Sequence, residues 1–289
     1  MLRRMLLGIA ALAFLAPMAQ AQTADEVIAK YVQARGGMDK LKAVKSVRMT
    51  GKMMMGPGME APMVLEIDRA GKMRMEFTVQ GMTGVQAYDG KMGWIVMPFM
   101  GKKDPEAVPA EDLKDFQEQS DIDGPLVDYK AKGNQVELLG KEPVEGTDAW
   151  KLKVTLKNGN VRNIFIDAEN YLELKTESKR MVRGTEMELE GTPGDYKAVD
   201  GVMYPFSMEN GAKGSAQKAK LTIDKIEVNP ALDASRFAMP AVAPASAESV
   251  ATAVKAVTAK PTAPGAVKKA AAAKKPAAAK PATPASDKP

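Results

Sequence analysis

From Met73 to Gln80 the chain reads Met-Arg-Met-Glu-Phe-Thr-Val-Gln, apolar and polar side chains in strict alternation. Successive side chains of a strand point to opposite faces, so a period of two describes a sheet with one buried and one wet face. The rhythm recurs upstream, where Val47, Met49, Gly51, Met53 and Met55 alternate with Arg48, Thr50, Lys52 and Met54. It recurs downstream, where Trp150, Leu152, Val154 and Leu156 alternate with Lys151, Lys153, Thr155 and Lys157. Turn-forming pairs separate the runs: Ala70-Gly71, Asp89-Gly90, Asn158-Gly159 and Asp200-Gly201. About eleven strands fit between Lys45 and Val228 with no βαβ alternation. The expectation is a mainly β (α+β) chain, one curved antiparallel sheet forming an incomplete barrel. A concave face that its own side chains do not fill holds a ligand.

Two short helices interrupt the pattern. Thr23-Ala24-Asp25-Glu26 is a capping box, and Val27, Ile28, Tyr31 and Val32 behind it share one helical face until Gly36-Gly37 stops the turn. The second runs from Pro109 to Gln119, with proline suited to a helix start and Leu113 and Phe116 three apart. Ser120 to Tyr129 then adds Ile122, Leu126 and Val127 as an irregular apolar segment. A helix and loop set midway through a long meander predict a lid over one sheet face.

The ends differ in kind from this body. Residues 1–21 carry Arg3 and Arg4, an apolar stretch from Met5 to Leu15, and the small-residue site Ala19-Gln20-Ala21. That is a secretory signal peptide, too short to span a bilayer, with cleavage expected after Ala21 and the periplasm as destination. Residues 241–289 contain 19 Ala, 8 Lys and 7 Pro and no Leu, Ile or aromatic residue. Such a composition cannot bury enough apolar surface to offset ordering entropy, so a disordered tail is expected. The domain between is residues 22–240. Eight lysines against two acids in the tail, and two arginines in the leader, more than account for the formal +5, leaving Thr23–Pro240 at −3. The basic pI of about 9.1 therefore says nothing in favour of nucleic acid.

The 289 residues include no histidine and no cysteine. Ser-His-Asp and Cys-His machinery, zinc held by imidazole or thiolate, and lipid attachment through cysteine are all excluded. Nothing marks out a catalytic pair among the acids. No catalytic residue, metal ligand or cofactor is expected.

Four segments resemble one known family. Ala87 to Lys103, AYDGKMGWIVMPFMGKK, is similar to the DGK-x-x-W-x-x-x-PF segment of LolA/LolB-like lipoprotein-localisation proteins. Glu66–Phe77 resembles that family's strand–turn–strand, Lys157–Asp167 a later hairpin, and Asn229–Pro240 its D-x-x-x-F-x-x-P ending. The resemblance implies an incomplete barrel with lid helices, whose apolar cavity accepts lipoprotein acyl chains without catalysis. It implies a soluble carrier, with an acylated lipoprotein or lipid as partner. The family arginine that holds the lid would fall on Arg69, donating to carbonyls at the end of the Glu111–Gln119 helix; the proline that follows it in the family is Ala70 here, and a solvated strand end beside the turn is the other reading of Arg69.

Methionine numbers 21 against 15 aromatic residues, and twelve methionines lie between Met49 and Met100. Alternate methionines simply facing a core is one reading. A pliable lipid cavity is another, since unbranched thioethers repack around chains of varied shape. Its expected lining is Met49, Met53, Met73, Met75, Phe77, Trp94 and Phe99, the last two equally readable as core, with Leu113 and Phe116 on the lid. A third reading is Cu(I) held by the five methionines of Met53–Met63. A structural envelope protein acting through its basic tail on anionic surfaces is a fourth. Asp121, Asp123 and Asp128 are expected to serve turns and caps, because a calcium loop needs more oxygens at closer spacing.

Overall fold

A computed structural model describes residues 22–241 except 57, 183 and 184. The leader expected over residues 1–21 and the tail expected over residues 241–289 lie outside the described residues, apart from Ala241.

Helix α1 (Ala24–Ala34) starts at the capping box, with Thr23 accepting from Glu26 N and Glu26 from Thr23 N. Gly36 then takes φ +120°, and a Cβ there would lie 2.2 Å from Gly201 O, so only glycine lets the chain turn this close to a neighbouring hairpin. A second helix, α2 (Met38–Ala43), follows; at six residues it is too short for a 3.6-residue period to be read.

Among the described residues thirteen strands follow, more than the roughly eleven expected. They are β1 (Ser46–Gly56), β2 (Met59–Asp68), β3 (Lys72–Val79), β4 (Met82–Tyr88), β5 (Gly93–Met97) and β6 (Lys102–Ala107), then β7 (Gln135–Val144), β8 (Thr147–Thr155), β9 (Val161–Asp167), β10 (Glu173–Val182), β11 (Thr185–Val199), β12 (Val202–Ala212) and β13 (Ala219–Val228). All join one antiparallel sheet ordered β6-β5-β4-β3-β2-β1-β13-β12-β11-β10-β9-β8-β7. Two meanders therefore meet where β1 pairs with β13, and the sheet stays open between β6 and β7. Both edges are blunted: β6 is charged and carries Pro105, and β7 carries Pro143 and a register shift at Leu138/Gly140. A polar, proline-bearing edge such as β6 hides from alternation.

The connection from β6 to β7 must travel from one edge to the other. It does so through α3 (Ala110–Gln119) and the turns of residues 120–134.

Pairing fixes two faces. One row across β1–β4 holds Val47, Ile67, Met73 and Tyr88; the next holds Met49, Leu65, Met75 and Gln86; the next Gly51, Met63, Phe77 and Gly84. The helices lie on this face. Val27, Ile28, Tyr31 and Val32 of α1, with Leu126 and Val127, share one core with Val47 of β1, Leu152 of β8, Ile164 of β9 and Val202 of β12. Strands far apart in the sheet order meet in that core, so the sheet curls around the helices and this face is its inner one. Burial of each such aliphatic side chain contributes roughly 1.5–3 kcal/mol. Among the described residues no helix is long and apolar enough to cross a membrane.

Candidate ligand face and its lid

The inner face is filled unevenly. Near α1, α2 and α3 it is closed. Toward the other end of the strands, Met63, Phe77 and Met97 are buried, while Leu65, Met75, Val79, Ile95, Phe99 and Leu221 around them are only half-buried. Ala61, Met53, Leu221 and Met208 continue the same face across the β1–β13 junction. Phe77 and Phe99 stack at 5.6 Å with a 57° tilt. They do so over Gly84, where a Cβ would stand 2.8 Å from Phe99 Cε1 and 3.0 Å from Phe77 Cζ.

Of the expected lining, Met53, Met75, Phe77 and Phe99 lie together on this surface. Met49 shares the face but packs against the α1 core, and Met73 is completely covered. Trp94 does not belong to it. Its row is Arg48, Glu66, Arg74 and Ala87, on the outer face. There the turn Ala234–Phe237 straps over it: Trp94 Nε1 donates to Phe237 O at 2.8 Å, and the Arg74 guanidinium sits 5.4 Å from the indole. Arg236 of that turn binds Glu66 and Glu76 at 3.0 and 2.9 Å. Trp94 is thus the anchor of a C-terminal strap, a correction to its expected place in the cavity.

Helix α3 bridges the two arms of the curl. Leu113 and Phe116 pack on Ile67, Met73 and Tyr88 of the β1–β6 arm. About half a turn away round the helix, Asp115 and Glu118 face the other arm. Asp115 pairs with Arg180 at 2.7 Å. Glu118 pairs with Arg162 and accepts from Asn158 and Asn160 at 2.8 and 2.6 Å. Burial pushes Glu118 toward the neutral form, but Arg162 and the two asparagines outweigh it and hold the carboxyl below its ordinary value. At Asp115 burial wins over Arg180, and the carboxyl is raised.

Arg69 ties down the segment after α3, by a route other than expected. Its guanidinium holds Asp123 with two bonds of 2.6 and 2.9 Å, and donates to Leu41 O at 2.6 Å and to Val44 O. The carbonyls are those closing α2, not those of the lid helix, and the lid side supplies a carboxylate instead. A cation at a helix C-terminus is favourable in either case. Asp121 pairs with Lys132 at 2.6 Å and Asp128 with Lys42. The three aspartates are therefore ion-pair partners that pin the 120–134 turns, beyond the turn role expected; Asp121 also accepts from Asp123 N at 3.3 Å.

A depression of about 750 Å³ flanks these latches, lined by Lys42, Arg69, Glu118, Asp123, Lys132 and Arg162. Apart from Lys157 its charges are paired, and with Ile122, Pro125 and Leu156 also in its wall it is a mixed polar and apolar crease beside the lid. Among the described residues no three acidic side chains are grouped to hold a metal. Among the methionines of Met53–Met63, Met53 and Met63 face inward and Met59 keeps their parity at the hairpin tip, while Met54 shares the outer row of Glu60 and Lys220.

Sequence reasoning missed Arg162, Arg180, Asn158 and Asn160. One signal was present: Arg162 shares its face with Ile164 and Ile166, an arginine in an inward-facing position.

No protein-family model matches the chain, and no curated protein matches its sequence. Solved structures do match its fold. A LolA superfamily protein from Nitrosomonas europaea superposes with a TM-score of 0.51 at 14% identity, covering 75% of this chain and 98% of that one. An outer membrane lipoprotein-sorting protein domain from Vibrio parahaemolyticus gives 0.50 at 16% identity, covering 73% and 94%. A DUF1329 family protein from Desulfovibrio piger gives 0.52 at 11% identity, covering 75% and 98%. The fold is LolA-like, in agreement with the resemblance of the four sequence segments.

Proposed function

We propose that the chain is a non-covalent carrier that takes an acyl chain, from a lipoprotein or a free lipid, onto the inner face between Met53, Met75, Phe77 and Phe99. The observation that carries this is the band of half-buried apolar side chains left on the inner face of an open, curled sheet. Hydrocarbon placed there leaves water at about 0.8 kcal/mol per methylene. Thioethers adapt to its shape where rigid aromatics select one. Helix α3 and the 120–134 turns act as the lid, with Arg162 and Arg180 latching the helix and Arg69 the turns. The LolA-like fold supports the reading, as does the lipoprotein-sorting description of one structural relative. No catalytic step is involved.

Under this reading residues 1–21 direct export to the periplasm, and the basic tail of residues 241–289 rests on anionic envelope surfaces. Native mass spectrometry of the chain purified from its own envelope tests the core of it. A co-purifying lipid or acylated peptide is expected. An empty chain that also fails to bind a fatty-acid probe refutes the carrier, and stoichiometric Cu(I) on that empty chain would favour the metal reading instead. Deleting residues 241–289 is expected to leave thermal stability unchanged and to reduce low-salt pull-down by phosphatidylglycerol vesicles. Equal pull-down removes the role given to the tail.

A further inference from the structure

Exposed methionines stand at both ends of the strands. Met59, Met82 and Met100 are 45, 37 and 63% exposed. Met59 opens β2, Met82 opens β4 and Met100 ends the turn after β5. All three therefore stand on the hairpin ends away from α1 and α2. Met82 pairs with Val79 on the inner face, and Met59 keeps the parity of Ala61 and Met63. Met63 and Met97 lie behind this rim, 2 and 7% exposed. At the opposite end of the molecule Met38 and Met92 are comparably exposed but lie away from the open part of the face.

With no cysteine or histidine in the chain, thioethers are the softest nucleophiles it presents to an oxidant. We infer that Met59, Met82 and Met100 form an oxidation site through which a two-electron oxidant, a peroxide, releases apolar cargo from the inner face. This rests on the carrier reading. The sulfur lone pair attacks the terminal peroxide oxygen, the O–O bond breaks, the S–O bond forms, and water leaves with the transferred proton. Sulfur is oxidised by two electrons and the peroxide reduced by two. Each flexible apolar side chain becomes a polar sulfoxide with a strong hydrogen-bond acceptor. A rim that bends over hydrocarbon as thioether must shed bound water to do so as sulfoxide, so the cargo-bound state loses its cover.

The test uses the full chain, graded hydrogen peroxide, peptide mass mapping and the Kd of a dansyl-labelled undecanoic acid. Met59, Met82 and Met100 are expected to oxidise with Met38 and Met92 and before Met63, Met73 and Met97. At that stage Kd is expected to rise about tenfold. M59L/M82L/M100L, whatever its starting Kd, is expected to show no further change on oxidation, whereas M38L/M92L keeps the full response. An oxidised rim with unchanged Kd overturns the inference, as does a Leu triple variant that loses affinity as the parent does. Rim methionines that react no faster than Met63, Met73 and Met97 overturn the site itself, on the peptide map alone. A chain that binds no probe before oxidation overturns the carrier reading, and the release step with it.

Discussion

Replacing Arg162 by methionine removes the cation that neutralises Glu118 while keeping a long apolar stem against the sheet. The Glu118 side chain is 7% exposed and Arg162 is 20% exposed. Removing one partner of a buried pair costs about 3–5 kcal/mol when the other charge is stranded. Here Glu118 keeps two asparagine donors and a distant Arg180 Nη2 at 4.0 Å. Those contacts, with the part-exposed arginine, bring the loss to about 2 kcal/mol, or about 30-fold in the lid-opening equilibrium. Amide hydrogen exchange reads it directly: Glu111–Gln119 should exchange about 30-fold faster while α1 peptides keep their protection. Glu118→Gln strands only the more exposed arginine and should accelerate exchange about fivefold. The double variant should fall below the sum of the two, because a glutamine still accepts from both asparagines. Acid acts in the same sense. Glu118 is held below its usual value, so its stabilisation is present above the unfolded value of 4.5 and lost as pH falls through the lower folded one. Unchanged exchange in α3, or equal acceleration in α1, would show that these pairs do not hold a lid.

Three further outcomes follow from particular neighbours. Glu173 shares its inward-facing row with Ile166 and Trp150, and burial, against the pull of Arg35 and Arg162, pushes its carboxyl up to about 7. The folded state then binds a proton that the unfolded state has lost, so stability falls as pH rises from 4.5 to about 7; Glu173→Gln should be neutral at pH 4 and stabilising by about 1–3 kcal/mol at pH 8 in urea titrations, and a pH-independent difference refutes the assignment. Gly84→Ala places a Cβ against Phe77, Phe99 and Met97; thermal melts should show about 1–2 kcal/mol lost and the fatty-acid probe should bind more weakly, whereas unchanged affinity would move the ligand off this face. Trp94→Phe removes the bond to Phe237 O; it should cost about 1–2 kcal/mol and raise proteolysis around residues 229–237 with probe binding unchanged, and weaker binding would return Trp94 to the cavity.

What the sequence made legible is what is local. Met73, Met75 and Phe77 announce their face by alternating with charged neighbours, and Thr23 with Glu26 announces a helix start within one turn. Trp94 failed because Gly93-Trp94-Ile95-Val96-Met97 is apolar at every position, so no parity can be read, and its partner Phe237 lies 143 residues away. Arg69 was placed at a latch but given the wrong carbonyls, because the right ones close a six-residue helix with Leu41 as its single buried side chain. Arg162 was legible and went unread: on a strand whose alternate residues Ile164 and Ile166 are buried, a cation in the same parity requires an inward partner. The lid itself follows from connectivity more than from any motif. Once β13 returns to pair with β1, the two meanders end on opposite edges, and only the 108–134 segment joins β6 to β7. That segment crosses the open side of the curl, so its charged and apolar faces must answer the two arms separately. The spacing of Leu113 with Phe116, and of Asp115 with Glu118, does this within one ten-residue helix.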